Sequence, residues 1–144
     1  MTTGVYIEPL GCCLLVEQSR EKVTRICFSK EQPEEHSILA KKIADYLIRG
    51  APCPQAELDL SGMTDFRKLI SSVVQGIPRS ETMTYGEVAA QAGRPGAARA
   101  VGQVMAKNPF AILVPCHRVV SEQGLGGFAW GVGLKEKLLT LERE

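Results

Sequence analysis

The sequence predicts an α+β protein in which a small antiparallel sheet and one helix precede a mainly helical half. Two observations favour this order. Residues 4–9, 12–17 and 23–28 are short apolar or alternating runs separated by polar turns, as in sheet strands. Apolar residues then recur at helical spacing, first in residues 38–48 and again after residue 63. We therefore expect two domains, residues 1–62 and residues 63–144.

The first domain is predicted to contain three strands, a helix and a short final strand. Residues 32–35 open the helix, and Gly50 ends it. Its apolar face is expected to hold Ile38, Leu39, Ile43, Leu47 and Ile48. Residues 51–54 form a proline-rich linker, and residues 58–60 are the candidate for the last strand.

The second domain is predicted to contain four helices. Thr64 caps the first, whose apolar face holds Phe66, Leu69, Ile70, Val73 and Val74. Thr84 and Glu87 form a capping box that opens a short helix ending at Ala92. Residues 93–96 turn the chain into another helix, residues 97–107, which completes a helix-turn-helix. A final helix from about residue 134 is expected to bury Leu134, Leu138, Leu139 and Leu141.

Composition alone does not identify a partner. The 144 residues carry a net charge of +1, and 44% of them are apolar, enough for a compact core. The chain is not strongly basic, so nucleic-acid binding does not follow from charge. Residues 79–118 nevertheless hold five basic and two acidic residues, which is compatible with phosphate contacts and also with random scatter.

The five cysteines, at positions 12, 13, 27, 53 and 116, show no disulfide framework. An odd count without a signal peptide indicates reduced thiols, hence a cytoplasmic protein, or a nuclear one in a eukaryote. No apolar run is long enough to span a membrane. Cys12, Cys13 and Cys27 with His36 form only a weak candidate zinc site, because adjacent cysteines rarely both ligate. We expect no metal.

Cys116 lies in the most informative segment of the chain. An apolar, strand-like run, residues 112–114, delivers Cys116 and His117 side by side, between Pro115 and Arg118. The thiolate is the reactive form of cysteine, and a neighbouring imidazole and guanidinium favour it. The alternative is a buried cysteine beside a surface histidine.

The second helix of the helix-turn-helix carries small residues where a major-groove reader needs Asn, Gln, Arg or Lys. Arg99 is almost its only long polar side chain. Such a surface suits close approach to the minor groove without sequence preference. The alternative is an alanine-rich helix packed in the core.

Four motifs at residues 84–89, 97–102, 108–109 and 115–119 resemble one family, the O6-alkylguanine-DNA alkyltransferases. The resemblance covers about residues 63–144. It implies an RNase H-like first domain and a winged helix-turn-helix-like second domain. It also implies a methylated-DNA–protein-cysteine S-methyltransferase that acts once, as a monomer without a cofactor. The implied partner is double-stranded DNA carrying O6-alkylguanine, chiefly O6-methylguanine.

The resemblance assigns roles by position. Cys116 accepts the alkyl group, His117 and Glu142 form a relay with it, Tyr85 crowds the 3′ phosphate and protonates guanine, and Asn108 is a hinge. Arg99 fills the gap left by the flipped nucleotide. The expected DNA contacts are completed by Arg94, Ala97, Ala98, Ala100 and Gly102. The substrate pocket is expected to include Met105, Pro115, Val119, Val120, Phe128 and Trp130. Without the resemblance, Glu142 would be interpreted as a solvated helix end.

Two departures from the family pattern lie in the glycine-rich loop, residues 121–133. Phe128 stands where a tyrosine is common, and Trp130 where a small residue is common. We expect Trp130 to slow reaction with bulky O6-benzylguanine, unless its ring packs outward. Two other functions remain open: an alkyltransferase-like lesion sensor without chemistry, and a Cys-His-Glu hydrolase. The sensors lack the reactive cysteine, and nothing here marks a hydrolase's oxyanion hole.

Overall fold

The computed structural model describes residues 3–143. It divides into two compact units. The first comprises the chain up to Asp59 together with Pro109–Ile112, and the second comprises Leu60–Asn108 and the chain from Leu113 onward. The division after Asp59 falls near the predicted boundary at residue 62. The sequence did not predict that a four-residue segment from the second half would join the first unit.

The first unit contains a four-stranded sheet with the order β3-β2-β1-β4. Its strands are β1 (Thr3–Ile7), β2 (Cys12–Ser19), β3 (Lys22–Ser29) and β4 (Glu35–His36). The first three pair antiparallel, as predicted, but β4 pairs parallel to β1, so the sheet is mixed. The turn between β2 and β3 places Arg20 and Glu21 at φ of 53° and 68°, the positive values that a tight two-residue hairpin requires.

Helix α1 (Ile38–Arg49) begins later than predicted, because residues 35 and 36 pair with β1. The Ser37 hydroxyl accepts from the Ala40 backbone N–H at 3.0 Å and caps the helix. The buried face also differs from the prediction. Ile38 and Ile48 are exposed, at 79% and 40% of their surfaces, while Ala40 and Ala44 are buried.

The free edge of β3 is covered within this unit by the segment Pro109–Ile112. The Ile26 backbone N–H donates to the Pro109 carbonyl at 2.8 Å, and the Ala111 N–H donates to the Ile26 carbonyl at 3.1 Å. Phe110 is 1% exposed. Farther along the same strand, Leu58 forms a single parallel bridge with Val23 in place of the predicted short strand.

The second unit contains the helices α2 (Asp65–Gln75), α3 (Tyr85–Gln91), α4 (Ala98–Ala106) and α5 (Val132–Arg143). Two short strands, β5 (Met83–Thr84) and β6 (Val119–Val120), pair in parallel. The α3–turn–α4 helix-turn-helix and the capping box of Thr84 and Glu87 are present as predicted. The α+β fold class is confirmed; the wing and the RNase H-like topology stay predictions.

Helix α5 buries a different face from the one predicted. Leu138 and Leu139 are buried, but Leu134 and Leu141 are only half-buried. The remaining buried positions are Lys135 and Glu142, at 0% and 2% exposure. The prediction was wrong because it assumed that the buried face of the helix consists of leucines alone. None of the helices within residues 3–143 is long and apolar enough to cross a membrane.

Candidate active site

Cys116 lines a cavity of about 180 Å³ in the second unit. It is 4% exposed and begins a 3-10 turn, Cys116–Arg118. The cavity is lined by Tyr85, Gly102, Met105, Ala106, Cys116, Gly127, Phe128 and Ala129. A buried thiol that faces a cavity of this size can react with a small molecule or an extruded base, but not with a base that remains stacked in a duplex.

The segment before Cys116 is not the strand that the apolar run predicted. The chain turns at residues 112–113, and the Cys116 N–H donates to the Val114 carbonyl at 2.7 Å. The Arg118 N–H then donates to the Pro115 carbonyl at 2.9 Å and closes the 3-10 turn. The strand β6 follows the turn. This tight turn points consecutive side chains in different directions, so Cys116 faces the cavity while its neighbours face the interior.

His117, Arg118 and Glu142 form a buried ionic cluster. His117 Nε2 lies 3.0 Å from Glu142 Oε1, and Arg118 Nε lies 3.0 and 3.1 Å from the two carboxylate oxygens. Arg118 Nη2 also donates to Glu142, and Nη1 donates to the Ile77 carbonyl at 2.8 Å. Burial alone would raise the pKa of Glu142, but hydrogen bonds from His117 and Arg118 lower it to about 2. Glu142 is therefore ionised, not a solvated helix end.

His117 is a neutral base at pH 7. Burial lowers its pKa more than the Glu142 carboxylate raises it. Because Nε2 faces a carboxylate, it carries the ring proton, and Nδ1 is left as the acceptor. Nδ1 is buried and has no protein partner among residues 3–143. The residue that follows Cys116 in the chain therefore carries an unprotonated ring nitrogen, and its full burial rules out the surface histidine of the alternative interpretation.

The surroundings of Cys116 act in two directions. Burial raises the pKa of the thiol, while a hydrogen bond from the Asn108 side chain and the charge of Lys135 lower it. Asn108 is itself fixed by a 2.9 Å hydrogen bond from its Nδ2 to the Val114 carbonyl. Since burial wins in the free protein, the thiol keeps its proton until a base removes it.

Lys135 is the residue that the sequence analysis missed. It is 0% exposed, and its Nζ donates to the Val119 carbonyl at 2.7 Å and to the Gly127 carbonyl at 3.0 Å. Burial lowers its pKa to about 8, against the influence of Cys116. A signal was present in the sequence. Lys135 lies on the same face of the helix as Leu138, Leu139 and Glu142. A lysine on a buried face is unfavourable unless its ammonium has a buried partner.

Tyr85 opens helix α3 and forms one wall of the cavity. Burial raises its pKa, and a backbone hydrogen bond from Gly127 holds its hydroxyl. Gly126 has φ +74° and lies so close that a Cβ there would be 2.7 Å from the Tyr85 hydroxyl. Glycine is therefore required at position 126. The hydroxyl keeps its proton at neutral pH and can donate it inside the cavity.

Helix α4 and its N-cap carry small residues, of which Gly102 lines the cavity. Ala97, Ala98, Ala100 and Gly102 are half-buried, while Arg99 and, in the preceding turn, Arg94 are exposed. Val101, Val104 and Met105 form the opposite, buried face. The helix is therefore not enclosed in the core, and a second surface can approach its backbone closely.

Comparison with known proteins identifies the family. The profile described as 6-O-methylguanine DNA methyltransferase, DNA binding domain, matches residues 65–144. The chain belongs to this family. A methylated-DNA–protein-cysteine methyltransferase of Mycolicibacterium paratuberculosis is 51% identical over 88 residues, which are 60% of this chain and 53% of the relative. One of Salmonella typhimurium is 44% identical over 105 residues, 72% of this chain and 61% of the relative. The chain thus spans about half to three-fifths of these relatives.

A solved structure extends the similarity to the first unit. The crystal structure of Mycobacterium tuberculosis OGT in complex with DNA superposes with a TM-score of 0.85 at 34% identity. The match covers 99% of this chain and 92% of that chain. The predicted membership of the methyltransferase family is therefore confirmed, and the first sixty residues, which carry no motif, share the fold.

The pocket residues predicted from the sequence fall into two groups. Met105 and Phe128 line the cavity. Pro115 and Val119 are buried and Val120 is half-buried, away from the described lining. Trp130 does not line the cavity either: its ring packs edge-on against Phe128, with centroids 5.3 Å apart. The contact with Phe128 is one route by which Trp130 can influence substrate size.

The weak zinc candidate is not assembled. Within residues 3–143, no three His, Cys, Asp or Glu side chains come together as a metal-ligand set. Cys12 and Cys13 lie on β2 and Cys27 lies on the neighbouring strand β3, and none of the three forms a disulfide within residues 3–143.

Proposed function

We propose that this chain repairs double-stranded DNA by transferring the alkyl group of O6-alkylguanine, chiefly O6-methylguanine, to its own Cys116. The observation that carries the proposal is the position of Cys116 in a small cavity, adjacent to a neutral imidazole that a buried carboxylate orients. The family membership supports it, since the named relatives are methylated-DNA–protein-cysteine methyltransferases.

Access to the lesion requires that the nucleotide leave the helix, because the reacting thiol is buried. We propose that α4 approaches the minor groove through its small residues and that exposed Arg99 occupies the space of the extruded base. Unstacking costs a few kcal/mol, and contacts of this kind offset it. No base-reading side chain is needed, because a repair protein must act in any sequence.

The reaction balances without a cofactor. The Cys116 thiol gives its proton towards Nδ1 of His117, whose resulting charge is stabilised by Glu142. The sulfur then bonds to the alkyl carbon while the carbon–O6 bond breaks, and that electron pair stays on guanine. Tyr85 donates a proton to the departing base. Afterwards His117 releases the Cys116 proton to water and Tyr85 takes one up, so the net change is thiol and O6-alkylguanine to thioether and guanine. The thioether is a poor leaving group.

The test is intact-protein mass spectrometry after incubation with a duplex containing one O6-methylguanine, followed by peptide mapping. We expect the mass of one methyl group on the peptide that carries Cys116. The Cys116→Ala variant should gain none, while Cys53→Ala, which removes an exposed thiol, should react normally. Tight lesion binding without a mass gain would instead support a sensor, and repeated turnover of an ester would support a hydrolase.

A further inference from the structure

Lys135 is a buried cation that takes no part in the bond-forming and proton-transfer steps proposed above. A fully buried ammonium is costly and is normally paired with a carboxylate. Within residues 3–143, no carboxylate lies at salt-bridge distance from Lys135 Nζ. Its partners are two carbonyl oxygens, of Val119 on β6 and of Gly127 in the glycine-rich loop. These two neutral partners do not account for a charge at this position.

The groups that face Lys135 belong to the proposed reaction. Its Nζ lies 6.0 Å from the centre of the Tyr85 ring, on α3. The thiol of Cys116, in the 3-10 turn, and the ammonium influence each other's pKa, and Lys135 also lowers the pKa of His117. The carbonyl of Gly127 binds Lys135 while the N–H of the same residue binds Tyr85. The positive charge of Lys135 therefore acts on both the nucleophile, Cys116, and the proton donor, Tyr85.

We propose that Lys135 is the fixed positive charge of the alkyl-transfer cavity, stabilising negative charge first on the Cys116 sulfur and then on the departing guanine. This inference rests on the proposed function. In a direct displacement, one negative charge moves from sulfur to the leaving base across the cavity. An ammonium held by two carbonyls needs no reorientation as the charge moves, which is how preorganised electrostatics lowers a barrier. Lys135 keeps its proton throughout, so it is an electrostatic and positioning residue, not a base.

The two hydrogen bonds give Lys135 a second effect. Val119 follows the active-site turn directly, and Gly127 lines the cavity. By binding both carbonyls, Lys135 fixes the glycine-rich loop against β6 and thereby keeps the Tyr85 hydroxyl oriented. A purely structural role would consist of this effect alone. The experiment must therefore separate the charge from the hydrogen bonds.

The variants Lys135→Met and Lys135→Gln make that separation. Met removes both the charge and the donors, and Gln keeps N–H donors without the charge. Gln also covers the case in which the Met variant fails to fold, which thermal unfolding checks. The control is Lys137→Met, which removes an exposed charge from the same helix.

The readout is the pH dependence of the rate of Cys116 carbamidomethylation by iodoacetamide, followed by mass spectrometry in the absence of DNA. In both Lys135 variants we expect the rate at pH 7, where Lys135 with its pKa of about 8 is charged, to fall roughly tenfold, the equivalent of about one pKa unit of the thiol. The difference from the wild type should shrink above pH 8, where Lys135 loses its charge. Methyl transfer from DNA should fall in parallel, and Lys137→Met should match the wild type. A folded Lys135 variant with an unchanged rate at pH 7 would overturn the proposal, even if its methyl transfer were slow, because that pattern indicates a structural role only.

The thiol titration also keeps this inference separate from the proposed function. Iodoacetamide needs no lesion, so a rate difference that is present at pH 7 and shrinks above pH 8 would establish the electrostatic effect by itself. A wild-type protein that accepted no methyl group from DNA would reject the proposed function instead, whatever the Lys135 variants did.

Discussion

The two units bury different kinds of side chain. Among the described residues of the first unit, the buried ones are apolar except for Ser37, whose hydroxyl caps a helix. In the second unit Ser71, Asn108, His117, Arg118, Lys135 and Glu142 are all buried. Buried charge lowers stability unless it is paired and hydrogen-bonded. The difference indicates that the first unit is built for packing, whereas the second accepts a less favourable core in order to place reactive groups away from water.

Two cysteines show the same contrast on a smaller scale. Cys13 in the first unit and Cys116 in the second are 1% and 4% exposed. Burial raises the pKa of both thiols. Only at Cys116 do an amide and an ammonium oppose that effect. Burial does not distinguish a structural thiol from a reactive one; the neighbouring polar groups do.

The largest effect is expected from Arg118→Met, which breaks the ionic cluster. Removal of one partner of a buried ion pair costs about 3–5 kcal/mol, and here it leaves Glu142 with His117 alone. We expect that loss in the free energy of unfolding, measured by urea denaturation, together with loss of methyl transfer. The matched change in the first unit is Leu47→Ala, which should cost about 2–5 kcal/mol and leave the transfer rate of the folded fraction unchanged. Normal methyl transfer by folded Arg118→Met would show that the ionic cluster only stabilises the fold, as Leu47 does.

A second prediction concerns DNA contact. Arg99→Ala removes an exposed side chain, so the free energy of unfolding should stay within about 0.5 kcal/mol. Repair of a lesion in duplex DNA should nevertheless fall roughly tenfold or more, because extrusion of the base loses a stabilising contact worth more than about 1.4 kcal/mol. Reaction with the free base O6-methylguanine should not change. Arg49→Ala, which removes an exposed arginine from the first unit, is the control; equal losses in both variants would count against a specific role.

A third prediction is the acid sensitivity of the second unit. Because the folded-state pKa of Glu142 is lowered to about 2 from 4.5, its contribution to stability is present above about pH 4.5 and is lost as the pH falls towards 2. Urea denaturation of the wild type should show this decline. In Glu142→Gln the decline between pH 5 and pH 3 should be smaller, although stability at pH 7 is lower. A parallel decline in both proteins would mean that Glu142 is not the responsible group.

The smallest effect is expected at Trp130. Its edge-on contact with Phe128 is worth about 0.5–1.5 kcal/mol, which corresponds to roughly tenfold at most in the freedom of Phe128 to move. Trp130→Ala should therefore speed labelling by O6-benzylguanine by no more than that factor and leave methyl transfer unchanged. Wild-type labelling by O6-benzylguanine as fast as methyl transfer would show that Trp130 does not limit access.

Most of the correct predictions came from patterns among residues that are close together in the sequence. The capping box of Thr84 and Glu87, the hairpins and the helix-turn-helix depend on neighbouring residues, and each is present. The pairing of His117 with Glu142 was inferred from the family resemblance, and the structure places the two side chains at 3.0 Å. Features that depend on distant residues were missed. β4 pairs with β1 across more than thirty residues, and no local pattern indicates that.

Two errors arose from the assumption that apolar residues mark the buried face. The run before Cys116 was predicted to be a strand, but it turns so that the thiol faces the cavity. The leucines of α5 were predicted to be buried together, yet Lys135 and Glu142 occupy that face. Functional sites are where local rules are expected to fail, because the chain accepts a local cost for chemistry. A lysine on an apolar stripe was the signal that could have located the site.

The most direct test of the account is a titration of the protein with increasing amounts of duplex DNA containing O6-methylguanine, with the methylated peptide quantified by mass spectrometry. We predict a plateau at one methyl group per chain, all of it on Cys116, and no further repair once the plateau is reached. Repair that continues beyond one equivalent, or a methyl group on another residue, would contradict the account.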